Sequence, residues 1–405
     1  MTDTSAIRHP KLPAKNTRIA SIDLLRGTVM IIMALDHVRH FFHYDSFFYE
    51  PTDLSETTPF LFFTRFITHY CAPTFVFLAG ISAHLYGSKR GKSALAHFLF
   101  TRGIWLMFVE VAIISLGSTF NPSYPLFNLQ VIWVIGISMI VLSALIYLKR
   151  SVILGIALIL ICAHNLLDGV HVGGNGAASF FWSFLHEPKQ FLFGNLKVFI
   201  MYPVLPWIGI MSLGYYLGNL FDSDYDAELR QDVLLILGIG AILLFFILRS
   251  INIYGDPSNW ATQKSISLTV LSFFNVTKYP PSLLYTLITL GPSLIFLSVA
   301  EKPLTPLGER ISVFGRVPFF YYILHLYAIH FLAIFGAMIC GFNWSDMILT
   351  TKVGLTPGFK GGYGFNLLTV YIIWFALIIA LYPACKWFDK YKRAHQREKW
   401  WLSYF

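Results

Sequence analysis

Apolar runs of about 20 residues recur along the whole chain and restrict its fold more than any other feature. A run of this length is what an α-helix needs to cross the hydrocarbon core of a bilayer. Of the 405 residues, 56% are hydrophobic and 13% are charged, and the mean hydropathy is +0.62. A soluble protein of this size could not cover so much apolar surface. The sequence therefore predicts an all-α polytopic membrane protein.

Hydrophobic periodicity and run length together predict about ten transmembrane helices. Their approximate ranges are 19–43, 59–86, 95–117, 127–148, 151–167, 197–221, 232–250, 281–300, 312–339 and 366–388. We expect a single transmembrane domain over 18–390, because no stretch between these runs has the composition of a soluble domain. It would be flanked by a cytoplasmic tail over 1–17 and a basic cytoplasmic tail over 391–405.

Lys and Arg residues outside the predicted spans fall mainly on one side of the membrane. If the N-terminus is cytoplasmic, the cytoplasmic segments carry more than twice as many as the outer segments. Because Lys and Arg gather in cytoplasmic loops, we predict that both termini are cytoplasmic. The net charge of +9 then reflects topology, and no nucleic-acid partner is expected.

Three predicted outer loops, near 168–196, 251–280 and 340–365, are much longer than the inner ones. Loops of about 25–30 residues in a compact protein are often functional. A binding face on the outer side is therefore one interpretation, and plain surface connectors are the other.

The first predicted span carries many ionisable residues for a membrane helix. Residues 19–44 read IASIDLLRGTVMIIMALDHVRHFFHY. Ionisable groups are costly in hydrocarbon and usually face a bundle interior or a water-filled cavity. On a helical wheel, Arg26, His37 and His40 form one stripe, with His37 about 16 Å beyond Arg26. On the predicted topology Arg26 lies toward the cytoplasm and His37 toward the outside, whereas Asp23 is explained as simply by a local ion pair with Arg26.

The second predicted span adds two polar residues on one helical face, Arg65 and His69, which are four positions apart. Sequential membrane helices usually pack as neighbours. If these two spans do so, we expect Arg65 and His69 to lie at a depth similar to that of His37 and His40, near the outer surface.

Two further arginines lie toward the cytoplasmic side of the predicted topology, Arg102 in the third span and Arg316 in the ninth. They could join Arg26 in binding an anionic group. The alternative is that they make structural hydrogen bonds between helices.

Two motifs give the chain a resemblance to known families. SIDLLRG, followed by His37 with ten residues between Arg26 and His37, resembles the first helix of the membrane-bound acyltransferase-3 proteins. Its combination with CAPTFVFLAG at residues 71–80 is more similar to the heparan-alpha-glucosaminide N-acetyltransferase catalytic-domain family and its bacterial relatives of unknown function. The likeness extends over nearly the whole chain in number and order of spans, but the specific motifs lie mainly in 18–82.

The resemblance implies a membrane acyltransferase, located in the inner membrane of a bacterium among its lipids. It would move an acyl group, with acetyl as the expected one, from cytoplasmic acyl-CoA to a sugar or glycan acceptor on the outer side. The acyltransferase-3 pattern gives catalytic roles to Arg26 and His37. The heparan-type enzymes usually have Asn at the position of His37 and a histidine in the loop that follows, so the base is left open among His37, His40 and His69.

The residues suit this chemistry. A neutral imidazole can take the proton from an attacking hydroxyl or amine near neutral pH. We hypothesise that His37 is this base, acting directly or through an acyl-imidazole, with His69 or His40 orienting it or the acceptor. Arg26, together with Arg102 and Arg316, would hold the donor phosphates. No metal is expected, since no Cys/His spacing typical of zinc sites occurs.

Two other classes of protein stay open at this point. A transporter or proton-coupled carrier would also have polar helix interiors and broken helices, although the chain shows no internal repeat. A b-type haem protein could pair His37, His69 and His325 across helices. The sequence does not specify the oligomeric state, with a homo-oligomer as one option.

Overall fold

A computed structural model describes residues 19–350, 362–396 and 398–404. The protein is mostly helical, with 71% helix. The α-helices are α1 (Ala20–Phe42), α2 (Pro59–Thr68), α3 (Cys71–Arg90), α4 (Lys92–Val109), α5 (Ser115–Thr119), α6 (Val131–Leu145), α7 (Arg150–Cys162), α8 (Ala177–Leu185), α9 (Leu205–Leu217), α10 (Ala227–Ile251), α11 (Ile266–Phe274), α12 (Leu283–Val299), α13 (Pro306–Arg316), α14 (Pro318–Ile339) and α15 (Leu367–His395). The strands are β1 (Leu126–Leu129), β2 (Lys189–Phe193) and β3 (Leu196–Ile200). A π-helical turn, Glu110–Ile114, joins α4 to α5.

Within the described residues, five helical segments are long and apolar enough to cross a membrane. They are Pro59–Arg90, Lys92–Thr119, Ala227–Ile251, Pro318–Ile339 and Leu367–His395, and they match the second, third, seventh, ninth and tenth predicted spans. The other predicted spans contain α1, α6, α7, α9 and α12, which are shorter or carry more charge. The chain thus has the features of a multi-pass membrane protein, while the count of ten spans and the cytoplasmic location of the termini stay predictions.

A small sheet corrects the all-α prediction. Its strand order is β1-β3-β2, with β1 parallel and β2 antiparallel to β3. β1 and β3 occupy the beginnings of the predicted spans 127–148 and 197–221, because hydropathy alone does not separate an apolar strand from the start of a membrane helix. Gly194, at φ 61°, and Asn195 connect β2 to β3, and a Gly-Asn pair between two apolar runs is a hairpin signal.

Close backbone contact fixes α1 against α13. A Cβ atom on Gly27 would lie 2.2 Å from the carbonyl oxygen of Ile311, and one on Gly315 would lie 1.9 Å from that of Asp23. Small residues let membrane helices approach in this way. The contact brings Arg26 beside α13, where its Nη1 donates to the carbonyl oxygen of Gly315 at 3.2 Å.

The candidate membrane helices differ in how deeply they are buried within the protein. In the most apolar stretch of Pro59–Arg90, 67% of the residues are buried, whereas in that of Leu367–His395 only 11% are. The first segment therefore lies in the interior and the second along the perimeter. α1 also packs centrally, against α3, α13, α14 and α15, so its charged stripe faces other helices.

Candidate active site

A cavity of about 180 Å³ lies beside the C-terminal half of α1, and we call it the histidine cavity. His37 and His40 both line it. Its other polar residues come from several elements and include Asp36, Glu50, Arg65, Asn128, Gln130 and Lys278. Because donors, acceptors and both signs of charge surround one space, this cavity suits a ligand with many hydroxyl groups.

His37 is paired with a second histidine that belongs to α14. His37 Nδ1 and His325 Nε2 lie 2.8 Å apart, and the two rings meet edge to edge in nearly the same plane, with centroids 5.0 Å apart and an interplanar angle of 8°. His325 is fully buried. The ring of Tyr322 contacts both imidazoles at centroid distances of 6.3 Å and 5.6 Å. The sequence interpretation had considered His325 only for haem, so this partner of His37 was missed.

An ion-pair cluster sits next to His37. Asp36 pairs with Arg39, one helical turn away, at 3.1 Å and with Arg65 of α2. Both guanidinium groups are largely buried, so the carboxylate compensates two buried positive charges and ties α2 to α1. The sequence pointed to Arg65 but not to Asp36, which falls off the stripe that carries Arg26 and His37.

The structure separates His69 from the other two predicted catalytic histidines. His69 follows α2, is only 4% exposed and does not line the histidine cavity. Its ring packs on that of Tyr285 at a centroid distance of 5.4 Å, and its backbone carbonyl accepts a hydrogen bond from the Tyr285 hydroxyl. Within the described part of the chain it makes no hydrogen bond with His37 or His40. The catalytic roles of all three histidines stay predictions.

Glu110 connects the π-helical turn to the start of α6. Its Oε2 accepts a hydrogen bond from the backbone N–H of Trp133 at 2.9 Å. A carboxylate at a helix N-terminus satisfies backbone N–H groups that have no partner within the helix. Glu110 therefore holds α6 in place at the edge of the histidine cavity, which it also lines.

A second cavity, of about 330 Å³, lies beside the N-terminal half of α1, and we call it the arginine cavity. All three predicted donor-binding residues line it, Arg26 from α1, Arg102 from α4 and Arg316 from α13. Lys392 contributes a further cation. No Asp or Glu is among its lining residues in the described ranges. The three arginines thus line one cavity although they are far apart in the chain, and their role in binding a donor stays a prediction.

The arginines are held by specific contacts. Arg26 donates to Ser82 Oγ at 3.0 Å and pairs with Asp23 at 3.4 Å, which agrees with the local ion pair considered for Asp23. Arg316 Nε donates to Asp389 Oδ2 at 2.8 Å. These contacts orient the guanidinium groups, because each fixes at least one N–H donor of the planar fork.

One layer of side chains separates the two cavities. Phe75, Val131 and Tyr322 line both of them, and we call these three residues the shared wall. On α1, Met30 lines the arginine cavity and Met33 the histidine cavity. The stripe from Arg26 to His37 therefore runs from one cavity to the other.

Among the described residues, no three His, Cys, Asp or Glu side chains gather as metal ligands would. A haem iron needs space between two axial nitrogens, and the direct 2.8 Å contact of His37 with His325 leaves none.

Comparison with models of known protein families gives a match over more than half of the chain. The family model described as "Heparan-alpha-glucosaminide N-acetyltransferase, catalytic" matches residues 18–254. This range includes Arg26, His37 and Arg102, while Arg316 and His325 lie beyond it. A search of curated proteins finds no match.

Proposed function

The chain belongs to the heparan-alpha-glucosaminide N-acetyltransferase catalytic family, and on that premise we propose that it transfers an acetyl group from acetyl-CoA to a sugar or glycan acceptor. Family membership supports an acetyltransferase-like membrane protein. The donor, the acceptor and the sidedness are our proposal. The arginine cavity takes the donor and the histidine cavity takes the acceptor.

The observation that carries this proposal is the shared wall. A cationic cavity and a cavity containing His37 have Phe75, Val131 and Tyr322 in common among their lining residues. A transferase with two substrates needs its binding sites to meet at the reacting atoms, in a geometry close to that of attack. Ligands from the two cavities would come into contact at the shared wall.

The lining of the arginine cavity suits acyl-CoA. Guanidinium groups bind phosphates by paired, charge-assisted hydrogen bonds. Tyr86 and Phe98 stack at a centroid distance of 4.3 Å and line the cavity beside Arg102, offering aromatic surface to a planar base. Apolar residues such as Met30 lead from the arginines toward the shared wall and would contact the pantetheine arm.

His37 is the base in the proposed reaction. The acceptor oxygen or nitrogen attacks the acetyl carbonyl carbon, and its proton passes to His37. The carbon–sulfur bond breaks, and the proton then passes from His37 to the CoA thiolate, so the products are the acetylated acceptor and CoA. Proton transfer by a positioned imidazole accelerates such a step because its pKa in water is close to neutral pH.

We propose that the protein lies in the inner membrane of a bacterium, with the donor entering from the cytoplasm and the acceptor from outside. The distribution of Lys and Arg supports this orientation. His37 lies eleven residues beyond Arg26 on α1, about 16 Å along the axis. The transferred acetyl group would therefore cross only part of the bilayer, since the CoA arm spans the rest.

The proposal is tested with purified protein in lipid nanodiscs, acetyl-CoA and a panel of mono- and oligosaccharides. CoA and the acetylated sugar are quantified by chromatography and mass spectrometry. A thiol reagent is avoided because Cys162 is exposed and would react with it. We expect CoA and acetylated sugar to form in equal amounts with at least one acceptor, and the His37→Ala variant to form both about 10²- to 10⁴-fold more slowly.

His97→Ala is the matched control, because His97 is exposed on α4 and lines neither cavity. Full turnover by the His37→Ala variant would show that the proposed base is wrong. If the wild-type protein fails to bind acetyl-CoA, the whole proposal fails.

A carrier is the second candidate, because two cavities separated by a thin wall also suit alternating access. The same preparation distinguishes the two. A carrier reconstituted in vesicles would move a labelled sugar without consuming acetyl-CoA, whereas the proposed enzyme acetylates it.

A further inference from the structure

We propose that His325 is a positioning residue that sets the tautomer of His37, so that the Nε2 lone pair of His37 is available in the histidine cavity. The tautomer follows from hydrogen bonds alone. Its consequence for catalysis rests on the proposed function.

The argument begins at the backbone of α14. His325 Nδ1 lies 2.8 Å from the carbonyl oxygen of Tyr321. A carbonyl oxygen can only accept a hydrogen bond, so His325 Nδ1 carries a proton. In a neutral imidazole only one nitrogen is protonated, and His325 Nε2 is then an acceptor.

His325 is neutral because of its surroundings. Its side chain is fully buried, and within the described residues no carboxylate pairs with it. A buried imidazolium without a carboxylate partner would be strongly unfavourable. The proton in the 2.8 Å contact between the two rings therefore belongs to His37 Nδ1, which donates to His325 Nε2.

The consequence appears at the opposite edge of the His37 ring. Neutral His37 with a proton on Nδ1 has a lone pair on Nε2. His37 lines the histidine cavity, and in the described structure Nε2 has no hydrogen-bond partner from the protein. The nitrogen left for the cavity is thus the one that can accept a proton.

A free histidine side chain does not prefer the neutral tautomer that has its proton on Nδ1, so the hydrogen bond to His325 is needed to fix it. The fixed tautomer lets His37 take the proton of the acceptor at Nε2 while Nδ1 keeps its own. The resulting imidazolium donates from Nδ1 to His325, so the charge that develops during the reaction gains a hydrogen-bond partner. The His37 ring also stays oriented, because its Nδ1 edge is hydrogen-bonded to the nearly coplanar ring of His325.

The first test is nitrogen NMR of protein labelled with ¹⁵N-histidine in nanodiscs, at a pH where His37 is neutral. The chemical shifts of the two ring nitrogens report which is protonated, and the His37 signals are assigned by their loss in His37→Ala. We expect Nδ1 to be protonated in the wild type. Protonated Nε2 in the wild type would overturn the proposal, whether or not the protein is an acetyltransferase.

Two variants of His325 make the test more specific. His325→Phe keeps an aromatic ring at this position but removes the acceptor, and we expect protonation of His37 to shift toward Nε2. His325→Gln offers an amide oxygen as acceptor, and we expect Nδ1 to stay protonated. A His37 spectrum that is identical in the wild type and in His325→Phe would contradict the proposal.

Turnover gives an independent measure. In the acetyl-transfer assay we expect His325→Phe to lower kcat about 10- to 100-fold, less than loss of the base itself, with KM for acetyl-CoA unchanged. His325→Gln should recover most of the lost rate. A purely structural role would instead lower the unfolding temperature and raise KM together, and His325→Gln would not restore kcat, which would also overturn the proposal.

Discussion

The two cavities beside α1 differ in composition although one helix lines both. The arginine cavity combines four cations with aromatic and apolar side chains, and no Asp or Glu lines it in the described ranges. The histidine cavity is smaller and contains acids, bases and amides together. The first lining suits a ligand with phosphates and a long apolar arm, and the second suits a hydroxyl-rich ligand.

On the proposed function, this difference would separate donor binding from chemistry along α1. Near Arg26 the side chains can fix a charged ligand but offer no base. Near His37 a neutral imidazole pair offers a proton acceptor, and the neighbouring charges of Asp36, Arg39 and Arg65 are already paired with one another. Changes in the arginine cavity should therefore alter donor affinity, and changes in the histidine cavity should alter turnover.

The largest expected effect comes from removing the base. His37→Ala should lower kcat about 10²- to 10⁴-fold, the usual contribution of a general base, and leave acetyl-CoA binding unchanged. Steady-state turnover and equilibrium binding of labelled acetyl-CoA measure the two quantities. If His37→Ala loses acetyl-CoA affinity by the same factor as kcat, then the histidine cavity cannot be distinguished from the arginine cavity as the place of chemistry. His40→Ala should cost less than His37→Ala, because it is His37 that is hydrogen-bonded to His325.

The next effect concerns the charge cluster that supports the histidine cavity. Asp36→Asn leaves Arg39 and Arg65 buried without a carboxylate, and we expect the free energy of unfolding to fall by about 3 kcal/mol, at the lower end for a broken buried pair. Chemical unfolding in detergent micelles measures it. Glu187→Gln is the control, because its pair with His171 is exposed and should contribute little. Equal stability losses in both variants would show that Asp36 has no special role.

A smaller effect is expected in the arginine cavity. Arg102→Gln should raise the Kd for acetyl-CoA about 10-fold, which corresponds to one lost charge-assisted hydrogen bond, with kcat nearly unchanged. Lys149→Gln, at an exposed position that lines neither cavity, should leave the Kd as it is. Calorimetry with purified protein measures both. A fall in kcat without a change in Kd would assign Arg102 to the chemistry instead.

The smallest effect tests the shared wall. Tyr322→Ala should open a passage between the cavities and raise acetyl-CoA hydrolysis in the absence of acceptor several-fold, because water then reaches the thioester. Tyr322→Phe keeps the ring and should behave like the wild type. If hydrolysis by Tyr322→Ala is not faster than by Tyr322→Phe, then Tyr322 does not separate the two sites.

Helical periodicity was enough to place the main candidates. The stripe through Arg26 and His37 follows from 3.6 residues per turn, and the five candidate membrane segments follow from apolar runs. Arg102 and Arg316 could be grouped with Arg26 because all three are predicted to lie toward the cytoplasmic side of the membrane. These predictions needed only local geometry and topology.

Helical periodicity could not predict contacts between residues on elements that are far apart in the sequence. His325 reaches His37 because of how α14 packs against α1, and neither the apolar pattern of α14 nor its sequence position specifies that packing. Lys278 and Tyr279 line the histidine cavity from the segment between α11 and α12, which no periodicity describes. The strands over 126–129 and 196–200 were mistaken for membrane helix, although the Gly194-Asn195 pair between β2 and β3 was a usable signal.

The assignment of the donor to the arginine cavity and of the reaction to the histidine cavity is tested most directly by an electron cryo-microscopy structure of the His37→Ala protein with acetyl-CoA bound. We expect this variant to turn the donor over about 10²- to 10⁴-fold more slowly than the wild type, so the bound donor should persist. We predict phosphate density beside Arg26, Arg102 and Arg316, with the thioester at the shared wall next to position 37. Phosphate density in the histidine cavity, or a thioester far from the shared wall, would contradict this assignment.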